Sequence, residues 1–372
     1  MNDKRVVNFD LLRCMCMLMI VGLHFFTHGL FGNPSNFQET DMNLFCSYDR
    51  SIRSFNFLLS EYVFTIFCIS VNCFVLISGY FMAKSRLKVK RIVGIYLQTF
   101  FYSLLIPILL GLFTSDDSLL YMLEGLTPIC SNTYWFVTIY LGLMVISPFL
   151  ISWMNQMEKT TYRRFLIIFG LINITLIWKF PWGSTYGGGT SLLFFIFLFF
   201  VGGYIRLFDI SWGKGHYLKY FLLASLFIYA LTIAYDFALG IKYQTGPYHV
   251  ISSYNSFPFF LSVLAFLWVK DIKIDNKFLS STCIKISPYV LGVYLISDHP
   301  LVRQYLWGMF DWHDLLSKPY FIAIMLMSCM VIFILCIIID YLRSVLFNLM
   351  KVDQLIDLSC ERIKKIKYLQ SL

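Results

Sequence analysis

The chain has 372 residues, of which 58% are hydrophobic and 14% charged, with a mean hydropathy of +0.70. Soluble domains run at about 45–50% apolar and about 25% charged, and a water-soluble core of this size cannot hide so many apolar side chains. The composition excludes a cytosolic enzyme, a secreted disulfide scaffold, a disordered regulator and a nucleic-acid binder. It also assigns the formal net charge of +9 to membrane topology, since cytoplasmic loops collect Lys and Arg.

The first apolar run, Leu11 to Leu30, is long enough for a spanning helix and exceeds a signal-peptide core. No small-residue cleavage site follows it, so no cleavable signal is expected. Apolar runs between charged breaks predict an all-α, polytopic membrane protein of about ten transmembrane helices. The predicted spans are 9–31, 60–82, 92–113, 133–153, 165–182, 190–208, 220–241, 254–271, 287–305 and 319–342. With the N-terminus inside, 23 Lys and Arg fall on the inner side and six outside, Arg13 lying within the first span. Both termini are therefore expected in the cytoplasm. Residues 1–342 are expected to form the membrane domain and 343–372 a basic cytoplasmic tail. In that tail Leu355, Ile356, Leu358, Ile363 and Ile366 lie among lysines, as in a basic amphipathic helix on an anionic leaflet.

The ten cysteines include no CxxC pair, which leaves a zinc or thioredoxin-like site without support. Cys46 and Cys130 fall in segments assigned outside, where a disulfide between them is one option. The Gly187-Gly188-Gly189 run reads as a tight outer turn, on the wrong side for a nucleotide.

Ionisable groups inside a membrane are costly and mark functional candidates. In the first span, Arg13 and His24 are separated by eleven helical steps, three turns plus about 20°, so they share a face about 16 Å apart along the axis. That face offers a fixed cation near the cytoplasm and an imidazole in the outer half, which suits a long anionic donor with its reactive end at a base. Two plainer readings stand beside it: Arg13 snorkelling to headgroups or pairing with Asp10, and His24 serving as a hydrogen-bonding packing residue. His28 lies one turn beyond His24, but no third ligand accompanies the pair and no metal site is expected. His216 falls inside, and His249 and His313 in outer loops.

Asp10-Leu-Leu-Arg13, ten residues and then His24 resembles the R-x10-H motif of the integral-membrane acyltransferase 3 family. Four further segments follow in order. Phe74 to Phe81, with Ser78-Gly79-Tyr80, is similar to that family's S-G-[FY] segment and precedes basic Lys88-Val-Lys90-Arg91. Trp135-Phe136 through Tyr140-Leu141 to Pro148 is similar to its W-F-x3-Y-L…P span. Phe199-Phe200-Val-Gly202-Gly203-Tyr204 resembles its F-F-x-G-x-Y segment, and Gly292-Val-Tyr294-Leu295-Ile296 its G-x-Y-L-I segment. Many relatives continue the last as Y-L-I-H. Here Ser297-Asp298-His299 follows, and a histidine displaced by two positions lies about 200° around a helix.

The resemblance, over residues 8–340, implies a ten-helix enzyme of the inner or plasma membrane. It would move an acyl group, usually acetyl, from acyl-CoA onto a carbohydrate hydroxyl outside the cytoplasm. It implies no bound cofactor, with acyl-CoA as donor substrate. The acceptor would be a surface polysaccharide, lipid-linked glycan or cell-wall glycan, with the lipid bilayer as solvent and no nucleic-acid partner. A sugar hydroxyl is a poor nucleophile at neutral pH and needs a base; His24 takes that role. Asp298 and Glu61 are the acids placed at the same outer depth to orient it. Arg13 would hold the donor, and Arg86, Lys88, Lys90 and Arg91 would grip its phosphates, although positive-inside topology explains these four equally well. Trp135 and Tyr140 offer stacking surfaces for a sugar or anchors for the interface. The rival readings are a transporter or flippase of lipid-linked saccharide, and an acyl-delivery subunit serving a separate transferase.

Overall fold

The computed structural model describes residues 7–30, 52–85, 87–111, 118–131, 133–177, 188–210, 214–243 and 257–364. Arg86, Cys46, Gly187 and His249 lie outside them, as does the end of the tail with Ile366. The described residues are almost wholly helical. Helix α1 (Val7–His24) continues as a π-helical stretch, Phe25–Leu30. Then come α2 (Ile52–Phe67), α3 (Ile69–Met82), α4 (Val89–Gly111), α5 (Ser118–Leu126), α6 (Trp135–Gln156) and α7 (Lys159–Ile177). The second half contains α8 (Leu192–Phe208), α9 (Tyr217–Tyr243), α10 (Phe257–Asp271), α11 (Lys277–Ile286) and α12 (Val290–Ser297). It closes with α13 (Pro300–Gly308), α14 (Trp312–Leu316), α15 (Phe321–Leu349) and α16 (Val352–Lys364).

Among the described residues each of the ten predicted spans overlaps helix, although those at 60–82 and 287–305 are divided between separate helices, and seven helical segments are long and apolar enough to cross a bilayer. The other three are limited by length or polarity. Helix α8 is apolar but has 17 residues, about 25 Å of rise. Helix α10 has 15, and α7 opens on Lys159, Arg163 and Arg164.

Lipid-facing and protein-facing helices separate by burial. In α1 and its π extension 61% of the apolar window is buried, against 22% in α15, whose Met327, Val331, Ile334, Leu335 and Ile338 face outward. Helix α1 is thus the central post, in contact with α2, α3, α10, α11, α12 and α15. Polar ties hold it, because apolar helices gain little from one another in a solvent of hydrocarbon tails. Asn8 Nδ2 donates to the carbonyls of Val269, at 3.0 Å, and Ile272. Buried Asp10 accepts from Ser287 Oγ at 2.7 Å and from Arg13 at 3.2 Å.

Close backbone approach explains two motif glycines. A Cβ on Gly79 would overlap the Phe199 carbonyl, and one on Gly202 the Leu76 carbonyl, so α3 and α8 cross with their backbones nearly touching. Further out, fully buried Asp340 of α15 receives Gln98 Nε2 and Tyr102 Oη from α4, both at 2.9 Å, and Arg343 Nε at 2.7 Å. At the base, α16 lies against α4: Lys90 Nζ is 2.8 Å from Asp357 and 3.7 Å from Asp353.

Candidate active site

The C-terminal half of α1 runs regularly to His24, so Leu23, His24 and the following turn stay on a continuous helical track. At Phe25 the hydrogen bonding widens to the π pattern, a local device that is frequent at functional sites. Thr27 Oγ1 donates back to the Leu23 carbonyl at 2.9 Å. An aromatic collar steadies this turn. Phe25 meets Trp312 edge-on at 4.6 Å, and Trp312 Nε1 donates to the Trp307 carbonyl at 2.7 Å. Gly29 leaves space for the Trp312 ring.

Opposite, the predicted span 287–305 is not one helix. It stops at Ser297, and Asp298 and His299 form the break before α13 starts at Pro300. Proline at the first helical position has no N–H to lose, and the residue before it avoids the helical region. His299, at φ −59° and ψ 131°, caps α13 by accepting the Leu301 N–H on Nδ1 at 3.2 Å. The 200° rotation argued for His299 therefore does not apply, because no helix connects positions 297 and 299.

The break aims Asp298 at α1. His24 Nε2 lies 3.6 Å and His28 Nε2 3.5 Å from the same oxygen, Asp298 Oδ1, and Arg303 Nη1 stands 3.8 Å from it. The His24 and His28 rings are 5.9 Å apart, and His24 is 6.0 Å from the Tyr294 ring. These are distances of a carboxylate poised among its donors rather than of closed hydrogen bonds; such bonds commonly tighten when substrate arrives. His24 Nδ1 is buried without a hydrogen-bond partner among the described residues. All four side chains border a cavity of about 310 Å³, whose other walls include Met17, Ile20, Trp135 and Phe136. It is at the small end of ligand sites, with mainly apolar walls and a few convergent polar groups.

The structure thus brings His24, Asp298 and Trp135 together. Tyr140 stands apart from the cavity: its hydroxyl is 3.0 Å from Ser78 Oγ, and its ring stacks on Phe136 at 5.6 Å. Glu61 is buried in α2 and does not border the cavity. Arg13 sits inward on α1, bonded to Asp10 and 5.8 Å from the Phe81 ring centre, with 28% of its side chain exposed. Arg91 and Tyr140 are within electrostatic reach of it. Lys88, Lys90 and Arg91 are exposed around the first turn of α4, where cations oppose the helix dipole, and Lys90 is already paired with Asp357 and Asp353 of α16.

Two members of the cluster were not singled out in the sequence. Arg303 is one of the six basic residues expected outside, and His28 is only half of an incomplete metal pair. The available signals were Pro300, which marks the helix break, and the four-residue spacing of the histidines.

The family model described as an acyltransferase domain, acyltransferase 3, matches residues 6–341. Among curated proteins and among solved structures, none matches the chain.

Proposed function

Because the chain belongs to the acyltransferase 3 family and is a multi-pass membrane acyltransferase, we propose that it transfers an acyl group, acetyl in the first instance, from cytoplasmic acyl-CoA to a hydroxyl of an envelope glycan. In this reading it resides in the inner or plasma membrane, crosses it about ten times and keeps both termini in the cytoplasm. Residues 1–342 carry the transferase and 343–372 the tail.

One observation carries the proposal: an imidazole, His24, and a carboxylate, Asp298, 3.6 Å apart on the wall of a cavity. Acyl transfer to an alcohol is accelerated by a base on the hydroxyl and a group that orients that base. His24 takes the hydroxyl proton as the oxygen attacks the thioester carbonyl; the C–O bond forms, the C–S bond breaks with its electron pair going to sulfur, and CoA leaves as the thiolate. Asp298 orients the imidazole and offsets the charge it gains. Trp135 gives the sugar a stacking face. Arg13, about 16 Å inward on the same helix, holds the anionic donor, and Arg86, Lys88, Lys90 and Arg91 receive its phosphates at the inner surface.

The test is incorporation of labelled acetyl groups from acetyl-CoA into envelope glycan by membranes carrying the protein. His24→Ala should reduce incorporation to background with unchanged membrane insertion. Full activity in that variant would remove His24 from the mechanism. Movement of a saccharide without any acyl-CoA consumption would replace the proposal with the transporter reading.

A further inference from the structure

Three donors surround Asp298 Oδ1, and an orienting carboxylate for His24 needs only one. His28 Nε2 is as close as His24 Nε2, 3.5 Å against 3.6 Å, and both rings border the cavity from successive turns of one helix. They differ in enclosure: 12% of the His24 side chain is exposed and 30% of His28. A base must start uncharged and an acid charged, and charge is less costly on the more open ring. Among the described residues Arg303 and Tyr294 also stand close to the pair, and Thr27 and Thr190 line the same cavity.

We propose that His28 is a second catalytic residue, the general acid that protonates the departing thiolate while His24 acts as base. The inference rests on the acyl-transfer reading above. The steps balance. The acceptor hydroxyl gives its proton to His24 as its oxygen bonds to the acyl carbon. The electron pair of the breaking C–S bond goes to sulfur, which takes the proton of His28. His24, now protonated, and His28, now neutral, flank one oxygen of Asp298, and return of the proton from one ring to the other across it restores the starting state. The π-helical turn has a purpose here, because it carries the second imidazole to the carboxylate that serves the first.

The test uses the full-length protein in detergent or native membranes, with two donors: acetyl-CoA, and an S-acetyl aryl thioester whose thiolate leaves without needing a proton. Glycan-bearing envelope is the acceptor, and each variant is compared with wild type on the same donor, so that differences in donor affinity at saturation cancel. His28→Gln and His28→Ala should lose about 100-fold with acetyl-CoA, at the lower end of what general acid catalysis contributes, and under about 10-fold with the aryl thioester. His24→Ala should lose heavily with both. Equal losses for the His28 variants on the two donors, or no loss on acetyl-CoA, would overturn the assignment while leaving His24 in place. A wild-type protein that acylates nothing from either donor would overturn the acyl-transfer reading, and this inference with it.

Discussion

Replacing Asp298 with Asn tests the site with the least disturbance to the fold. The side chains match in size, and the Asp298 backbone N–H, which donates to the Tyr294 carbonyl to end α12, is untouched. What disappears is the negative charge that His24, His28 and Arg303 share within 3.8 Å. An amide cannot offset an imidazolium, and it can present an N–H where the imidazole needs an acceptor. General base catalysis contributes about 10²–10⁴-fold. In the proposed mechanism the carboxylate acts through the histidine rather than on the substrate, so a loss in the middle of that range is expected, about 10³-fold or roughly 4 kcal/mol of barrier. The Arg303 pair is partly exposed and adds little to stability, but Asp298 itself is buried, so a loss of about 1–3 kcal/mol is expected. The assay is the initial rate of acetyl transfer from acetyl-CoA at saturation, with thermal unfolding in detergent as control. Activity within about threefold of wild type in a folded Asp298→Asn protein would refute the reasoning. Glu61→Gln is the matched comparison: outside the cavity, it should keep transfer within a few-fold.

Arg13→Lys should lose most acyl-CoA use, because an ammonium cannot reproduce the planar two-pronged grip of a guanidinium; a fully active lysine variant in the same transfer assay would reduce Arg13 to a snorkelling charge. Gly292→Ala should destabilise the fold by about 3 kcal/mol or more, read as a lowered Tm in detergent, because the added Cβ overlaps the Asp340 carboxylate. Cysteine accessibility on a cysteine-free background should place the 84–91 loop and Leu372 in the cytoplasm, and labelling of either from outside would refute the ten-crossing topology.

The long helices were legible because the bilayer imposes a simple demand, about 20 apolar residues per crossing; α1 with its π extension, α4 and α6 meet it with ends close to those predicted, while α15 starts as predicted but runs on to Leu349 rather than 342. Boundaries failed where helices bend or break inside an apolar run. The run expected at 60–82 begins at Ile52 and changes helix at Cys68, and the 287–305 run ends at Asp298. Neither event alters hydropathy. The candidate-site cluster was half legible. His24 follows from its place in an apolar helix, and Asp298 was reached only as one of two acids at the same depth. His28 and Arg303 join them through a π turn and a broken helix, and no periodicity encodes a contact between positions 24 and 298.

The motif segments divide by what they touch, and the division runs against counting them all as chemistry. Gly79 and Gly202 belong to segments far apart in sequence, yet each faces the other's helix, so one crossing explains both. Tyr140 reaches back to Ser78 in the same neighbourhood, and Gly292 makes room for Asp340, whose carboxylate binds α4 to α15. These residues set distances between helices. Tyr294, two positions beyond Gly292, borders the cavity, so a single short segment contributes both a packing contact and a wall of the site. A fold that must hold Asp298 within 3.6 Å of two imidazoles on another helix has little tolerance for helix sliding. Where hydrophobic attraction between helices is weak, that tolerance is set by close glycine crossings and buried polar ties such as Asp10–Ser287 and Asp340–Tyr102. The glycines of the packing segments are therefore expected to respond to substitution as sharply as the site itself, through misplacement of Asp298 rather than through loss of a reacting group.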